Sequence, residues 1–342
     1  MTHPRGWTDA VEEQFAVVGG SAGHTKAKRE GLTFRSGTDD CAAWHYRGSN
    51  GACVVMAGGA GVTKEPAADR FAARFHAAGF SVLAFDHRRF GGSGGEPRQV
   101  VRIREQLADW EAALNCATSL PGVAADKIAG WGFSLAAGHL LRMAAEHRDQ
   151  HRLAAVIAQA PLADGAASSP HALSHETPGV LARFPLIALR DFARGLAGRE
   201  PLVVPLAGRR GDVAMLTTPD AADCERALNP GNAYPGWKQT IAARSVIPIA
   251  MYRPGRTASR ISCPLLAVIS TGDQSVLAAP ALKAAGKAPR AEVLHIDGTH
   301  YAAFLEQHET VVAAELDFLH RHLLRDDTAD SAASASADAT HG

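Results

Sequence analysis

Apolar and polar positions alternate along this chain with two periods. Apolar runs at 52–56, 81–85, 127–131, 153–159, 265–270 and 292–296 predict short strands buried on both faces. Stretches with apolar residues at helical spacing separate them, at 66–78, 98–118, 134–146, 279–286 and 301–324. In the first of these Phe71, Phe75 and Ala78 share a face, and Gly79 closes the helix. Strands alternating with helices predict βαβ units and a mostly parallel sheet, the α/β fold class. Upstream, 32–34 and 42–46 flank the turn-like Ser36-Gly37-Thr38-Asp39-Asp40 and predict a hairpin.

The rhythm fails from 161 to 262, a stretch rich in Pro, Ala and Arg with helix-like pieces at 180–196, 220–228 and 237–246. A structureless loop of that length is uncommon inside a compact domain, so the stretch is expected to fold as a helical cap or lid. The resulting division is an N-terminal extension at 1–30 without a predicted element, a core at 31–160 and 263–324, the cap at 161–262, and a tail at 325–342. The tail is an Asp/Ser/Ala low-complexity run expected to be disordered.

Composition narrows the picture. A chain of 342 residues, 46% of them apolar, has material for one large domain with an insertion. Lys+Arg and Asp+Glu are balanced at 35 each with no long basic block, which gives no footprint for nucleic acid or an anionic membrane. The five cysteines are scattered without a C-x-x-C pair, so neither a disulfide framework nor a zinc site is expected. The N-terminus lacks the apolar region of a signal peptide, and no apolar run approaches the roughly 20 residues of a membrane span. The expectation is a cytoplasmic protein with no metal and no cofactor.

Candidate chemistry centres on the apolar run that ends in Gly132-Phe133-Ser134-Leu135-Ala136 and passes directly into a helical pattern. A serine hydroxyl is nearly unreactive at neutral pH unless a base reaches it and N–H groups hold the oxyanion it creates. A sharp strand-to-helix turn of the G-x-S-x-G kind does both, although here Ala136 takes the place of the second glycine. The base and its orienting acid should follow on loops after late strands. Asp273 ends the strand 265–270 region and His300 follows the last strand, so catalytic roles are expected for Ser134, Asp273 and His300. Asp297, only three residues before His300, is the rival acid and reads better as a turn residue. The oxyanion donors are expected to be the backbone N–H groups of Leu135 and of Ala60, in the glycine-rich loop after the strand 52–56. That loop, with Asp86 at a suitable distance, also keeps an NAD(P)-dependent dehydrogenase as an alternative of another class.

Together these residues resemble the α/β-hydrolase superfamily: Gly-Phe-Ser134-Leu-Ala, the stretch Asp86-His-Arg-Arg-Phe-Gly-Gly-Ser-Gly-Gly-Glu-Pro, Ser270-Thr-Gly-Asp273 and Gly298-Thr-His300. Within it the chain is most similar to serine aminopeptidase and X-Pro dipeptidyl-peptidase-like hydrolases of actinobacterial type, over about 31–160 and 260–324. The resemblance implies an eight-stranded, mostly parallel sheet flanked by helices, with the insertion as a cap over Ser134. Three departures stand out: Ala136, Gly58 where relatives place a histidine and where the loop is therefore expected to be looser, and Ser270 in place of a glycine. A serine at the elbow argues against the dehalogenase and epoxide-hydrolase chemistry of relatives that carry an aspartate there.

The function expected is acyl transfer to water on an ester, thioester, lactone or amide of a small apolar acyl substrate. Lyase or cyclase chemistry and C–C bond hydrolysis on the same residues stay open, as does a homodimer. The pocket is expected to draw on Phe133, Phe192, Trp237, Tyr252 and Tyr301, with Phe184, Leu186, Met215, Tyr234 and Met251 as further cap candidates.

Overall fold

The computed structural model describes residues 12–15, 27–146 and 153–324. The tail at 325–342 and most of the N-terminal extension lie outside the described residues. In chain order the elements are β1 Glu12–Phe15, β2 Ala27–Ser36, β3 Asp39–Tyr46, β4 Cys53–Ala57, α1 Lys64–Ala77, β5 Ser81–Phe85, α2 Ile103–Thr118, β6 Ile128–Phe133, α3 Leu135–Glu146 and β7 Ala155–Gln159. The insertion follows with α4 Gly165–Ser174, α5 Pro178–Leu196, β8 Val203–Pro205, α6 Asp223–Leu228, β9 Thr240–Ala242 and α7 Val246–Ala250. The core resumes with β10 Leu265–Ser270, α8 Ala278–Ala285, β11 Ala291–Ile296 and α9 His308–Leu319.

The main sheet runs β1-β2-β3-β5-β4-β6-β7-β10-β11. Its last six strands are parallel, and β1 to β3 form the expected hairpin and an antiparallel edge. The eight expected strands thus carry a ninth, β1, in the extension where none was foreseen. Alternation splits each parallel strand between two cores, since successive side chains leave opposite faces of the sheet. Val54 and Met56 enter one apolar cluster with Phe71, Phe75 and Trp131, while Cys53, Val55 and Ala57 enter the other with Trp110 and Leu140. Among the described residues no helix is long and apolar enough to cross a membrane.

Three expected helices differ. The helix foreseen at 98–118 starts at Ile103, because 98–101 is a non-helical turn, with Gln99 at a φ of +62°, that holds the insertion: Ala242 N–H donates to Gln99 O at 2.7 Å and Val101 N–H to Ser245 Oγ at 2.9 Å. The piece foreseen at 237–246 contains β9, which pairs with β8 through Val203↔Ala242; β-branched Thr240 and Ile241 suit a strand. The helix foreseen at 301–324 breaks after a short turn at Ala302–Phe304 and restarts as α9. Helix α4 was not foreseen, its Ala/Ser-rich segment lacking an apolar stripe.

Candidate active site

Four loops at the carboxyl ends of β4, β6, β10 and β11 converge, the edge where open α/β sheets bind ligands. Ser134 sits between β6 and α3 with a φ of +56°, a conformation costly for a side-chain-bearing residue. Surrounding backbone holds it there: its N–H donates to Gln159 O at 2.9 Å, and its carbonyl accepts from Gly138 N–H and Leu162 N–H at 3.0 and 3.1 Å. Ala136, in the place of the second elbow glycine, lies buried within α3, and its methyl joins the core cluster there.

The loop after β4 is tight rather than loose. A Cβ at Gly58 would lie 2.6 Å from Val62 O, and one at Gly59 3.1 Å from Ser134 Cβ. Glycines therefore let this backbone approach the serine. Ala60 of this loop and Leu135 at the start of α3 line the same cavity as Ser134, where N–H groups at a helix start favour negative charge.

His300 follows β11 and is 2% exposed. Its Nδ1 lies 2.6 Å from Oδ2 of Asp273, which follows β10 and whose Oδ1 accepts Val276 N–H at 2.7 Å. With Nδ1 committed to the carboxylate, Nε2 is the ring nitrogen left to exchange a proton. The ring stands 4.9 Å from the Phe133 ring, beside the serine. Burial works to lower the imidazole pKa, but the charges of Asp273 and then Asp220 outweigh it and raise the value. The acid and histidine loops are joined by Gly272 N–H donating to Gly298 O at 3.0 Å, so Ser270 in place of a glycine does not disturb this turn. The rival acid Asp297 is exposed and accepts Thr271 Oγ1 at 3.3 Å, away from the His300 ring nitrogens.

Ser134 and His300 open onto a cavity of about 280 Å³, roofed by the cap and lined mainly by apolar groups. Of the expected pocket residues Phe133 and Tyr301 line it, as do Phe184 and Met215. The other three do not. Phe192 lies on the outer face of α5 at 55% exposure, Trp237 is buried with its indole N–H on Gly61 O at 2.9 Å, and the Tyr252 hydroxyl meets His139 Nδ1 at 3.1 Å. Leu186 and Met251 face outward as well. Asp86, the acid of the dinucleotide alternative, is buried and held by Lys64 through both N–H (2.7 Å) and Nζ (2.8 Å).

Two positions at this site escaped the sequence reading. Glu176 lines the cavity wall, where Thr217 Oγ1 donates to its Oε1. Asp220, from the cap, reaches the acid and histidine loops. Its only signal is Thr218-Pro219-Asp220, a turn-like triplet in an otherwise unreadable stretch.

Comparisons with known proteins bear on the whole arrangement. The family described as serine aminopeptidase, S33, matches residues 48–199. The chain is 37% identical over 295 residues to the quorum-quenching protein AidA of Acinetobacter baumannii, covering 85% of this chain and 94% of that protein. It is 32% identical over 169 residues to the polyketide transferase af380 of Aspergillus fumigatus, covering 49% and 54% of the two chains. Among solved structures, the α/β hydrolase GrgF from Penicillium sp. sh18 superposes with a TM-score of 0.72 at 24% identity, over 87% of this chain and 99% of that one. That last likeness speaks to the fold alone. The near full-length relative, the matched family and the shared sheet lead to one conclusion: the chain is an enzyme of the α/β-hydrolase family, of the serine aminopeptidase-like S33 group.

Proposed function

We propose that this chain is a serine hydrolase in which Ser134, His300 and Asp273 transfer an acyl group to water. The observation that carries the reading is the buried 2.6 Å Asp273–His300 pair, whose histidine lines a cavity shared with Ser134 in its +56° turn. His300 Nε2 takes the Ser134 proton as Oγ attacks the carbonyl, and Asp273 fixes the tautomer and steadies the imidazolium. The tetrahedral oxyanion is held by the N–H groups of Ala60 and Leu135. The proton then passes to the leaving group, and water, activated by the same histidine, releases the acyl chain.

The apolar lining and modest volume support a small apolar ester, thioester or lactone as substrate. Relatives named as quorum-quenching protein, polyketide transferase and thiohydrolase point to the same range. Lyase, cyclase or C–C cleavage chemistry would use the same three residues. Peptide release of the X-Pro dipeptidyl-peptidase kind is a second reading, favoured by Glu176, a carboxylate in the cavity wall suited to a substrate amine. The five free cysteines fit a reducing, cytoplasmic setting.

Fluorophosphonate labelling followed by a p-nitrophenyl ester chain-length series tests the reading. The expected result is a single adduct on Ser134 and a preference for short to medium acyl chains. Labelling elsewhere, or full esterase activity in Ser134→Ala, overturns it.

A further inference from the structure

The acid and histidine loops do not stand on the core alone. Asp220 lies in a turn of the cap, Pro219–Ala222, and is 2% exposed. Its Oδ2 accepts Gln274 N–H at 2.9 Å, Ser275 N–H at 3.0 Å and His300 N–H at 3.4 Å, and its Oδ1 accepts the Ser275 hydroxyl at 2.8 Å. Thr218 Oγ1 lies 3.0 Å from that same hydroxyl, and Asp223 Oδ2 accepts Thr299 Oγ1 at 3.0 Å. One cap segment thus grips the residues next to Asp273 and on both sides of the His300 amide.

We propose that Asp220 is a positioning residue of this site: it straps the acid and histidine loops to the cap and sets a second negative charge beside His300, so that the histidine acts as base with the cap seated. The inference rests on the Ser134–His300–Asp273 reading above.

Two physical effects are separable. The first is geometric, because four donors from two loops converge on one carboxylate of the cap, beside the Thr218–Ser275 and Thr299–Asp223 contacts. The second is electrostatic. Burial works against the Asp220 charge, but the hydroxyl of Thr218, the amide of Gln274, His300 and Ser275 outweigh it and hold the carboxyl below its ordinary value. An ionised Asp220 favours the imidazolium that forms when His300 takes the serine proton. The other groups around the imidazole are Asp273 on the acid loop, Tyr301, whose phenol burial pushes far up, and, behind Tyr301, Cys224 of α6, pushed up to about 11. Both are neutral at working pH, so the two aspartates set the field.

The test uses the full chain and p-nitrophenyl esters. In Asp220→Asn the shape is kept and the charge removed, so the His300 pKa falls. The acid limb of the kcat/KM profile then moves to lower pH by about 0.5–1 unit, because the base is neutral over a wider range. The plateau kcat drops about tenfold with KM within about twofold, the imidazolium being less stabilised. Asp220→Glu keeps the charge and returns the acid limb toward its original position while kcat stays low, which separates field from geometry. Should Asp220→Asn fail to fold, Asp220→Ser also removes the charge while keeping a hydroxyl acceptor for the loop amides, and is expected to shift the limb in the same direction. An acid limb that stays in place in a folded Asp220→Asn or Asp220→Ser, with Ser134 still labelled by fluorophosphonate in the parent chain, overturns this inference alone. Loss of labelling in the parent chain overturns the site reading itself.

Discussion

The mouth of the cavity and the packed interface behind it both bury a carboxylate, with opposite results. At the mouth Asp220 meets four donors and is held below its ordinary pKa in spite of burial. Behind the sheet, Glu315 of α9 is fully buried and, among the described residues, has a single donor, the Trp131 indole N–H at 3.1 Å, with no partner for its Oε2. Burial there drives the pKa well above the ordinary range, so Glu315 is a neutral acid at working pH. Between these two carboxylates, the number of donors separates the one held down from the one pushed up.

The comparison predicts that changes at the mouth alter turnover and changes behind the sheet alter stability. The largest effect is expected for Ser134→Ala: kcat falls by a factor of about 10³ or more, while the melting temperature moves by no more than about 2 °C. A variant that instead loses stability and keeps turnover would break the division. Glu315→Gln should do the reverse. The folded-state pKa of Glu315 lies above its unfolded value, so the native state binds the extra proton and stability declines as pH climbs from about 4. The amide removes that dependence and keeps an acceptor for Trp131. Melting scans should show a gain of a few degrees at pH 8 that shrinks to nothing below about pH 4, with kcat/KM unchanged. A loss of activity in this variant would mean that the interface and the mouth are coupled.

Smaller effects sharpen the boundary. Leu189→Ser, on the outward face of α5 where Leu189 is 64% exposed, should change stability by less than about 0.5 kcal/mol in denaturant titrations. A larger cost would show that this face is covered in solution. Smallest is Glu292→Gln, which breaks the pair to Arg321 Nη2 at 2.7 Å and to His322 Nε2 at 3.1 Å. The Glu292 carboxyl is held down to about 2, so any contribution is present above about pH 4 and lost as pH falls toward 2. Both partners are solvent-accessible, which limits the change to under about 1 kcal/mol and makes it salt-sensitive.

The core was readable because its constraints are periodic. Strands buried on both faces leave continuous apolar runs, and Ser134, Asp273 and His300 could be picked out by their place after such runs. The cap obeys no such rule. Its aromatic residues were selected by type, whereas phase decides: in α5 the buried positions Val180, Ala188 and Asp191 define one face, and Phe192 falls outside it. The segment 237–246 failed for a related reason, since its pairing partner β8 lies more than thirty residues upstream and local spacing carries no trace of it. Asp220 was invisible because its partners are backbone amides over fifty residues away.

The strap also bears on any attempt to exchange the cap for that of a relative in order to change substrate preference. A chimera joined at the obvious borders near 161 and 262 would remove the carboxylate that the recipient's own acid and histidine loops depend on. Junctions that leave Thr218 to Arg226 native, and graft only α4 and α5, would carry over the roof of the cavity without dismantling the strap beneath it.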